Sequence, residues 1–121
     1  MSDFRFILLY VADVPKSAAF YADLLGRPAI DASPGFAMFE AAPGVRLGLW
    51  RADEVEPKAG TPGGGELCIV APEAEIEPIA VAWAAKGIAI AQQPTRMDFG
   101  YTFLGLDPDG HRVRVFAPGA R

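Results

Sequence analysis

The sequence predicts an α+β fold made of two βαβββ units, and three features carry that prediction. The same element order (strand, helix, three strands) runs twice along the chain, with a period of roughly 60 residues. Residues 52–64, Ala-Asp-Glu-Val-Glu-Pro-Lys-Ala-Gly-Thr-Pro-Gly-Gly, have no hydrophobic period and divide the two runs as a Pro- and Gly-dense linker. A closing hairpin then sets two β-branched and aromatic runs around Asp107-Pro108-Asp109-Gly110. One domain over residues 1–121 is expected, with unit one at 1–51 and unit two at 65–121. Neither unit buries its sheet face alone. They are expected to form a curved mixed sheet with a concave cleft, paired in a homodimer, and the linker is long enough to allow exchange between chains.

Each element has its own signals. Residues 4–11 (Phe-Arg-Phe-Ile-Leu-Leu-Tyr-Val) are an apolar strand. Asp13 and Pro15 suit the start of a helix, Ser17, Phe20, Tyr21, Leu24 and Leu25 keep helical spacing, and Gly26 stops it. Residues 28–32 make a short strand, 36–41 a third, and Ala42-Pro43-Gly44 turns into a fourth at 45–51. In the second unit 66–71 is a strand, followed by a helix with Ile76, Ile79 and Trp83 on one stripe. Pro78 is expected in that helix's first turn, because an interior proline removes a hydrogen bond. Lys86 and Gly87 end it; strands follow at 88–92, 99–106 and on the hairpin's return.

Composition narrows the function classes. A chain of 121 residues, 51% hydrophobic, is large enough for a real core without a disulfide or metal. A net charge of −4 argues against a nucleic-acid partner, which needs a basic face. No apolar run approaches a membrane span. The single Cys68 excludes an intrachain disulfide, and no basic segment leads into a long apolar run at the start, so a cytoplasmic protein is expected.

If the four residues 107–110 stay unpaired, Leu106 faces His111, Phe103 faces Arg114 and Tyr101 faces Phe116. Alternation then puts Tyr101, Phe103, Arg112, Arg114 and Phe116 on one face, and Leu104, Leu106, Val113 and Val115 on a core face. An apolar, aromatic face carrying arginines suits a pocket better than a packed interior.

The tandem units, Val11-Ala12-Asp13-Val14 with Ser17 and Phe20-Tyr21, and Asp107-Pro108-Asp109-Gly110 together resemble the vicinal oxygen chelate superfamily, which holds glyoxalase I, extradiol dioxygenases and bleomycin-resistance proteins. The likeness spans essentially the whole chain. That resemblance implies metal ligands at set points, which here are Phe6, a position near Gly48, Glu66 and Arg114. Phe and Gly cannot ligate and Arg does not deprotonate, so no metal and no cofactor are expected. His111, the sole histidine, sits beside the turn. The closer resemblance is to the superfamily's drug-sequestering, phenazine-resistance kind. It is carried by Phe39, Leu49-Trp50, Glu66, Asp98-Phe99-Gly100, Asp107 to His111 and Arg114-Val115. It implies a metal-free dimer that holds a small planar aromatic compound.

The residues support such a slot on their own terms. Phe6 shares strand parity with Leu8 and Tyr10, and Gly48 with Arg46 and Trp50, so Gly48 leaves room beside a large indole. Phe6, Leu8, Phe39, Gly48, Trp50, Phe99, Tyr101, Phe103 and Phe116 are the expected ligand-binding residues. Glu66 and Arg114 are expected to pair on its floor in place of the metal, with Arg114 able to take a ligand carboxylate through a two-point bond. Trp83 has core spacing. Two enzyme readings remain beside sequestration: a glyoxalase- or dioxygenase-like lyase or isomerase, and a cofactor-free enzyme with Glu66 as general base.

Overall fold

The computed structural model describes residues 5–57 and 65–119. The chain divides into two compact units, Met1–Pro62 and Gly63–Arg121. Each unit contains one helix and a four-stranded mixed sheet of the same topology.

In unit one, strand β1 (Phe6–Val11) leads into helix α1 (Val14–Leu25), followed by β2 (Asp31–Ala32), β3 (Phe36–Ala42) and β4 (Val45–Arg51). The sheet order is β1-β4-β3-β2, with β1 parallel to β4 and the other pairs antiparallel. Helix α1 starts where the sequence says it should: the Asp13 carboxylate accepts the Lys16 N–H at 3.1 Å, which satisfies one of the free donors of the first turn. It ends at Gly26, whose φ of 69° is the left-handed cap a side chain would resist. Val14, Ser17 and Tyr21 are its buried stripe, and it packs on β3 and β4. On the sheet side facing it, Val11, Ala37, Phe39, Leu47 and Leu49 are buried.

Unit two repeats the arrangement with β5 (Glu66–Val70), α2 (Glu73–Ala85), β6 (Ala89–Met97), β7 (Gly100–Leu106) and β8 (Arg112–Pro118), in the order β5-β8-β7-β6. Helix α2 packs on β6, β7 and β8 through Ile76, Ala80 and Trp83, with the Trp83 and Phe103 rings edge to face at 5.0 Å. Gly105 makes that contact possible, since a Cβ there would lie 2.7 Å from two Trp83 ring atoms. Pro78 does not fall in the first turn. The helix begins at Glu73, so Pro78 lies in its second turn, where the ring forfeits the N–H that would bond Ala74. Its neighbours on the outer face, Glu77 and Ala74, are exposed, which leaves that carbonyl open to water.

The closing hairpin differs from its expected register by one residue. Leu106 pairs with Arg112, Leu104 with Arg114, Phe103 with Val115 and Tyr101 with Ala117. The cause is Asp107. Its Oδ1 accepts the backbone N–H groups of Asp109 (2.9 Å) and His111 (2.8 Å), and its own N–H donates to the His111 carbonyl at 3.0 Å. Asp107 and His111 therefore close the ladder around Pro108, Asp109 and Gly110, the last at φ 85°. A one-residue slip reverses every side chain of a strand. Tyr101 and Phe103 consequently lie on the helix side of the sheet, and Thr102, Leu104 and Leu106 on the side of Arg112, Arg114 and Phe116.

The expected linker begins with structure. Residues Ala52–Glu54 form a single 3-10 turn, Arg51 pairs with Asp53 at 2.8 Å, and Val55 is buried. The remainder of that stretch, 58–64, and Phe4 lie outside the described residues. Among the described residues, no helix is long and apolar enough to cross a membrane.

Candidate functional site

Each sheet has one face under its helix and one open face, and the open faces gather most of the expected site residues. In unit one the pairs Phe6 with Arg46, Leu8 with Gly48, Tyr10 with Trp50, Met38 with Gly48 and Phe36 with Trp50 all lie on the side away from α1. Gly48 is the centre of this face. A Cβ on it would stand 2.7 Å from the Phe6 ring, 2.8 Å from the Leu8 methyl and 3.1 Å from the Phe36 ring. The room left by Gly48 is thus taken by three apolar side chains of its own unit. Trp50 stands beside them, edge to face with Tyr10 at 6.4 Å. Phe6 (47%), Leu8 (38%) and Tyr10 (43%) remain exposed, an unusual state for three large apolar neighbours.

Phe39 is not on this face. It pairs with Leu47, lies on the helix side with Ala37 and Leu49, and is fully buried. Strand parity decides this, and Phe36 occupies the wall expected of Phe39.

In unit two the open face carries Glu66, Cys68 and Val70 of β5 opposite Arg112, Arg114 and Phe116 of β8. Arg114 bonds the Glu66 carboxylate at two points, Nε to Oε1 at 2.7 Å and Nη2 to Oε2 at 3.0 Å. Its Nη1 donates to Gln92 Oε1 at 3.0 Å and to Thr102 Oγ1 at 3.1 Å. Thr102 in turn donates to the Val115 carbonyl at 2.8 Å. Arg112 joins from outside, with Nε 3.0 Å from Glu66 Oε2. Phe99 lies under the Arg114 guanidinium at 5.7 Å and meets Phe116 edge to face at 5.9 Å. Hydrogen bonding from Arg114 is the main cause that holds the Glu66 carboxyl below its ordinary value of 4.5; burial opposes it, and the charges of Arg114 and then Arg112 lower it further.

Two expectations change here. Arg114 does not have a free fork for a ligand carboxylate, because four of its five N–H groups already have acceptors. Tyr101 and Phe103 do not line this face. Phe103 is fully buried against Trp83, and the Tyr101 hydroxyl donates to Glu77 on α2 at 2.6 Å while Arg96 covers its ring.

The topological match between the units sharpens the metal question. Phe6 and Gly48 in unit one occupy the same sheet positions as Glu66 and Arg114 in unit two. In one unit a ring lies over a bare backbone, and in the other a carboxylate grips a guanidinium. These are the four points where the resemblance implies metal ligands. They do not fit a divalent ion: the first pair offers no side-chain donor, Arg114 is a cation, and Glu66 has both oxygens engaged by arginines. Asp107, Asp109 and His111 bring ligand atoms within 4.8 Å of one another elsewhere, but Asp107 uses Oδ1 on two loop N–H groups and Oδ2 on His111 Nδ1 at 2.7 Å. On the helix side, an open groove of about 640 Å³ runs past Glu73, Ala74, Glu77, Arg96 and Tyr101, with Arg96 bidentate on Glu73.

Sequence reasoning put Arg112 on the arginine-bearing face without counting it as a site residue, and it missed Phe36, Gln92 and Thr102. The contact of Arg112 with Glu66 needed the β5–β8 pairing, and Gln92 and Thr102 required the true hairpin register.

Two βαβββ repeats, each with a helix on one sheet face and chemistry on the other, define the tandem α+β fold of glyoxalase-like proteins. The chain belongs to the Glyoxalase/Bleomycin resistance protein/Dioxygenase superfamily, whose family model matches residues 4–115. It is 30% identical over 112 residues to the phenazine antibiotic resistance protein EhpR of Enterobacter agglomerans, covering 89% of this chain and 86% of that one. A solution NMR structure of an Agrobacterium tumefaciens protein is 44% identical, with a TM-score of 0.88 over 99% of this chain and 100% of that one. A glyoxalase/bleomycin resistance protein/dioxygenase from Nocardioides is 26% identical, with a TM-score of 0.79 over 98% of this chain and 84% of that one. A glyoxalase-related enzyme from Fulvimarina pelagi, 22% identical, shares the fold with a TM-score of 0.84 over 97% and 88% of the two chains.

Proposed function

We propose that the protein binds and sequesters a small planar aromatic compound without using a metal, as an antibiotic-resistance type of binding protein that works as a homodimer. The observation that carries this reading is the open face of unit one, where Phe6, Leu8, Tyr10 and Phe36 surround Gly48 and Trp50. Exposed aromatic area of this kind gains by covering a flat apolar molecule, and offset or edge ring contacts add about 0.5–1.5 kcal/mol beyond burial. The relative that confers phenazine resistance supports the ligand class. The four positions that do not fit a metal support binding rather than metal-assisted turnover. Glu66 is a poor general base, since its arginine partners stabilise the carboxylate and lower its proton affinity.

The test is a titration with phenazine followed by tryptophan fluorescence. Quenching is expected, and Trp50→Ala should weaken binding by about 1–3 kcal/mol. Trp83→Phe, which alters the core beneath α2, should lower stability and leave the affinity of folded protein nearly unchanged. Binding that ignores Trp50→Ala would move the slot elsewhere, and failure of every planar aromatic in a broad panel would refute sequestration. Sedimentation as a monomer at micromolar concentration would refute the homodimer.

A further inference from the structure

We propose that the helix side of unit two holds a second binding site, for a small organic cation made of a primary ammonium on an apolar stem. Two cavities meet there along α2. One, of about 640 Å³, is lined by Glu73, Ala74, Glu77, Arg96 and Tyr101. The other, of about 440 Å³, is lined by Ala80, Val81, Ala84, Gln93 and Pro94, and again by Glu77. Both volumes suit a small molecule. One carboxylate therefore stands at the junction of a polar pocket and a largely apolar one.

Charge selects the ligand. Arg96 bonds Glu73 at two points, 3.0 and 2.7 Å, and lies over the Tyr101 ring at 5.0 Å, so these two charges cancel within the wall. Glu77 accepts the Tyr101 hydroxyl at 2.6 Å, and that neutral partner leaves the charge of the carboxylate in place. The same bond is the main cause that raises the Tyr101 hydroxyl above its ordinary value of 10.0. The ionic side chains of the polar pocket thus leave one negative charge. A second acceptor lies beside it: Pro78 brings no N–H to the Ala74 carbonyl, and Ala74 lines the same pocket. An ammonium has three N–H donors to share between that carbonyl and the carboxylate. The positive end of the α2 dipole opposes a cation, but it fades beyond the first turn, and Glu77 lies in the second. The stem has its place in the apolar cavity, where Val81 is 69% exposed and Pro94 of the edge strand β6 forms the other wall. From Glu77 to Ala84 the helix rises about 10 Å at 1.5 Å per residue, room for an alkyl chain.

Probes sharing one stem test the site by backbone-amide NMR titration: hexylammonium, hexan-1-ol and hexyltrimethylammonium. Hexylammonium should bind saturably and shift the N–H signals of Glu77, Val81, Ala84 and Gln93. Hexan-1-ol, which lacks the charge, should bind about tenfold more weakly. Glu77→Gln keeps the shape and should weaken hexylammonium by about tenfold. Glu75→Gln removes an equal charge from α2 outside both cavities and should leave the affinity unchanged. Pro78→Ala returns the missing N–H to Ala74 and favours the helix. It should weaken hexylammonium about threefold and spare hexyltrimethylammonium, which has no N–H to donate. Equal affinity for hexylammonium and hexan-1-ol, indifference to Glu77→Gln, or equal losses in the two glutamate variants would overturn the site. So would the absence of saturable shifts up to about 10 mM hexylammonium. An unchanged hexylammonium affinity in Pro78→Ala would remove the Ala74 carbonyl from it.

Discussion

Replacing Glu66 by Gln tests the charged cluster without changing its shape. Glu66 accepts two bonds from Arg114, at 2.7 and 3.0 Å, and a contact from Arg112 at 3.0 Å. Hydrogen bonds to a charged partner contribute about 1.5–3 kcal/mol each, before solvent screening. Gln keeps one acceptor oxygen and Arg114 keeps Gln92 and Thr102, so the expected loss near neutral pH is about 1–2 kcal/mol. The pH dependence is the sharper readout. The folded-state pKa of Glu66 lies below its ordinary 4.5, so its stabilisation is fully present above 4.5 and is lost as the pH falls through the folded value. Urea unfolding of both proteins at pH steps from neutral down through that range should show a constant difference that shrinks below 4.5. A difference that does not change with pH, or no difference at neutral pH, would refute the ion pair as described.

Phe103→Ala should cost about 3–5 kcal/mol in urea unfolding, because the side chain is fully buried against Trp83; a loss below about 1 kcal/mol would contradict the hairpin register. Gly105→Ala should lower stability by about 1–2 kcal/mol and shift Trp83 fluorescence, since its Cβ would meet the ring at 2.7 Å; an unchanged melting temperature would count against that packing. Zn²⁺, Ni²⁺, Mn²⁺ or Fe²⁺ at micromolar concentration should leave the melting temperature unchanged, and an increase abolished by Glu66→Ala would reveal a metal site.

Much of this fold was legible because its signals are local. Asp13, Pro15 and Gly26 bound α1 as their backbone chemistry requires, and the alternation Arg112-Val113-Arg114-Val115-Phe116 divides β8 correctly between its two faces. The approach of Glu66 to Arg114 followed from the ligand positions that the family resemblance implies rather than from strand register, since β5 sets Glu66 opposite Arg112 and Cys68 opposite Arg114. What escaped was the face of β7. Tyr101, Phe103 and Thr102 have no charge pattern that distinguishes inside from outside, so their assignment depended on one residue of loop length. Phe39 and Phe36 exchange roles for a related reason: both are aromatic, and only pairing with β4 decides which is buried. The linker's ordered start at Ala52–Glu54 shows that a Pro- and Gly-dense composition does not report the local turns that acidic residues can close.

The loop held by Asp107 constrains how this protein can vary. Pro108 and Asp109 are exposed, and their side chains can change with little cost to the core. The number of residues between Asp107 and His111 cannot. One insertion that shifted β8 against β7 would bring a valine to the place now held by Arg114 and turn the guanidinium toward the helix. A carboxylate with two backbone hydrogen bonds thus acts as a counting device for the neighbouring strands. Mutational scans of this segment should therefore tolerate many substitutions and almost no change of length.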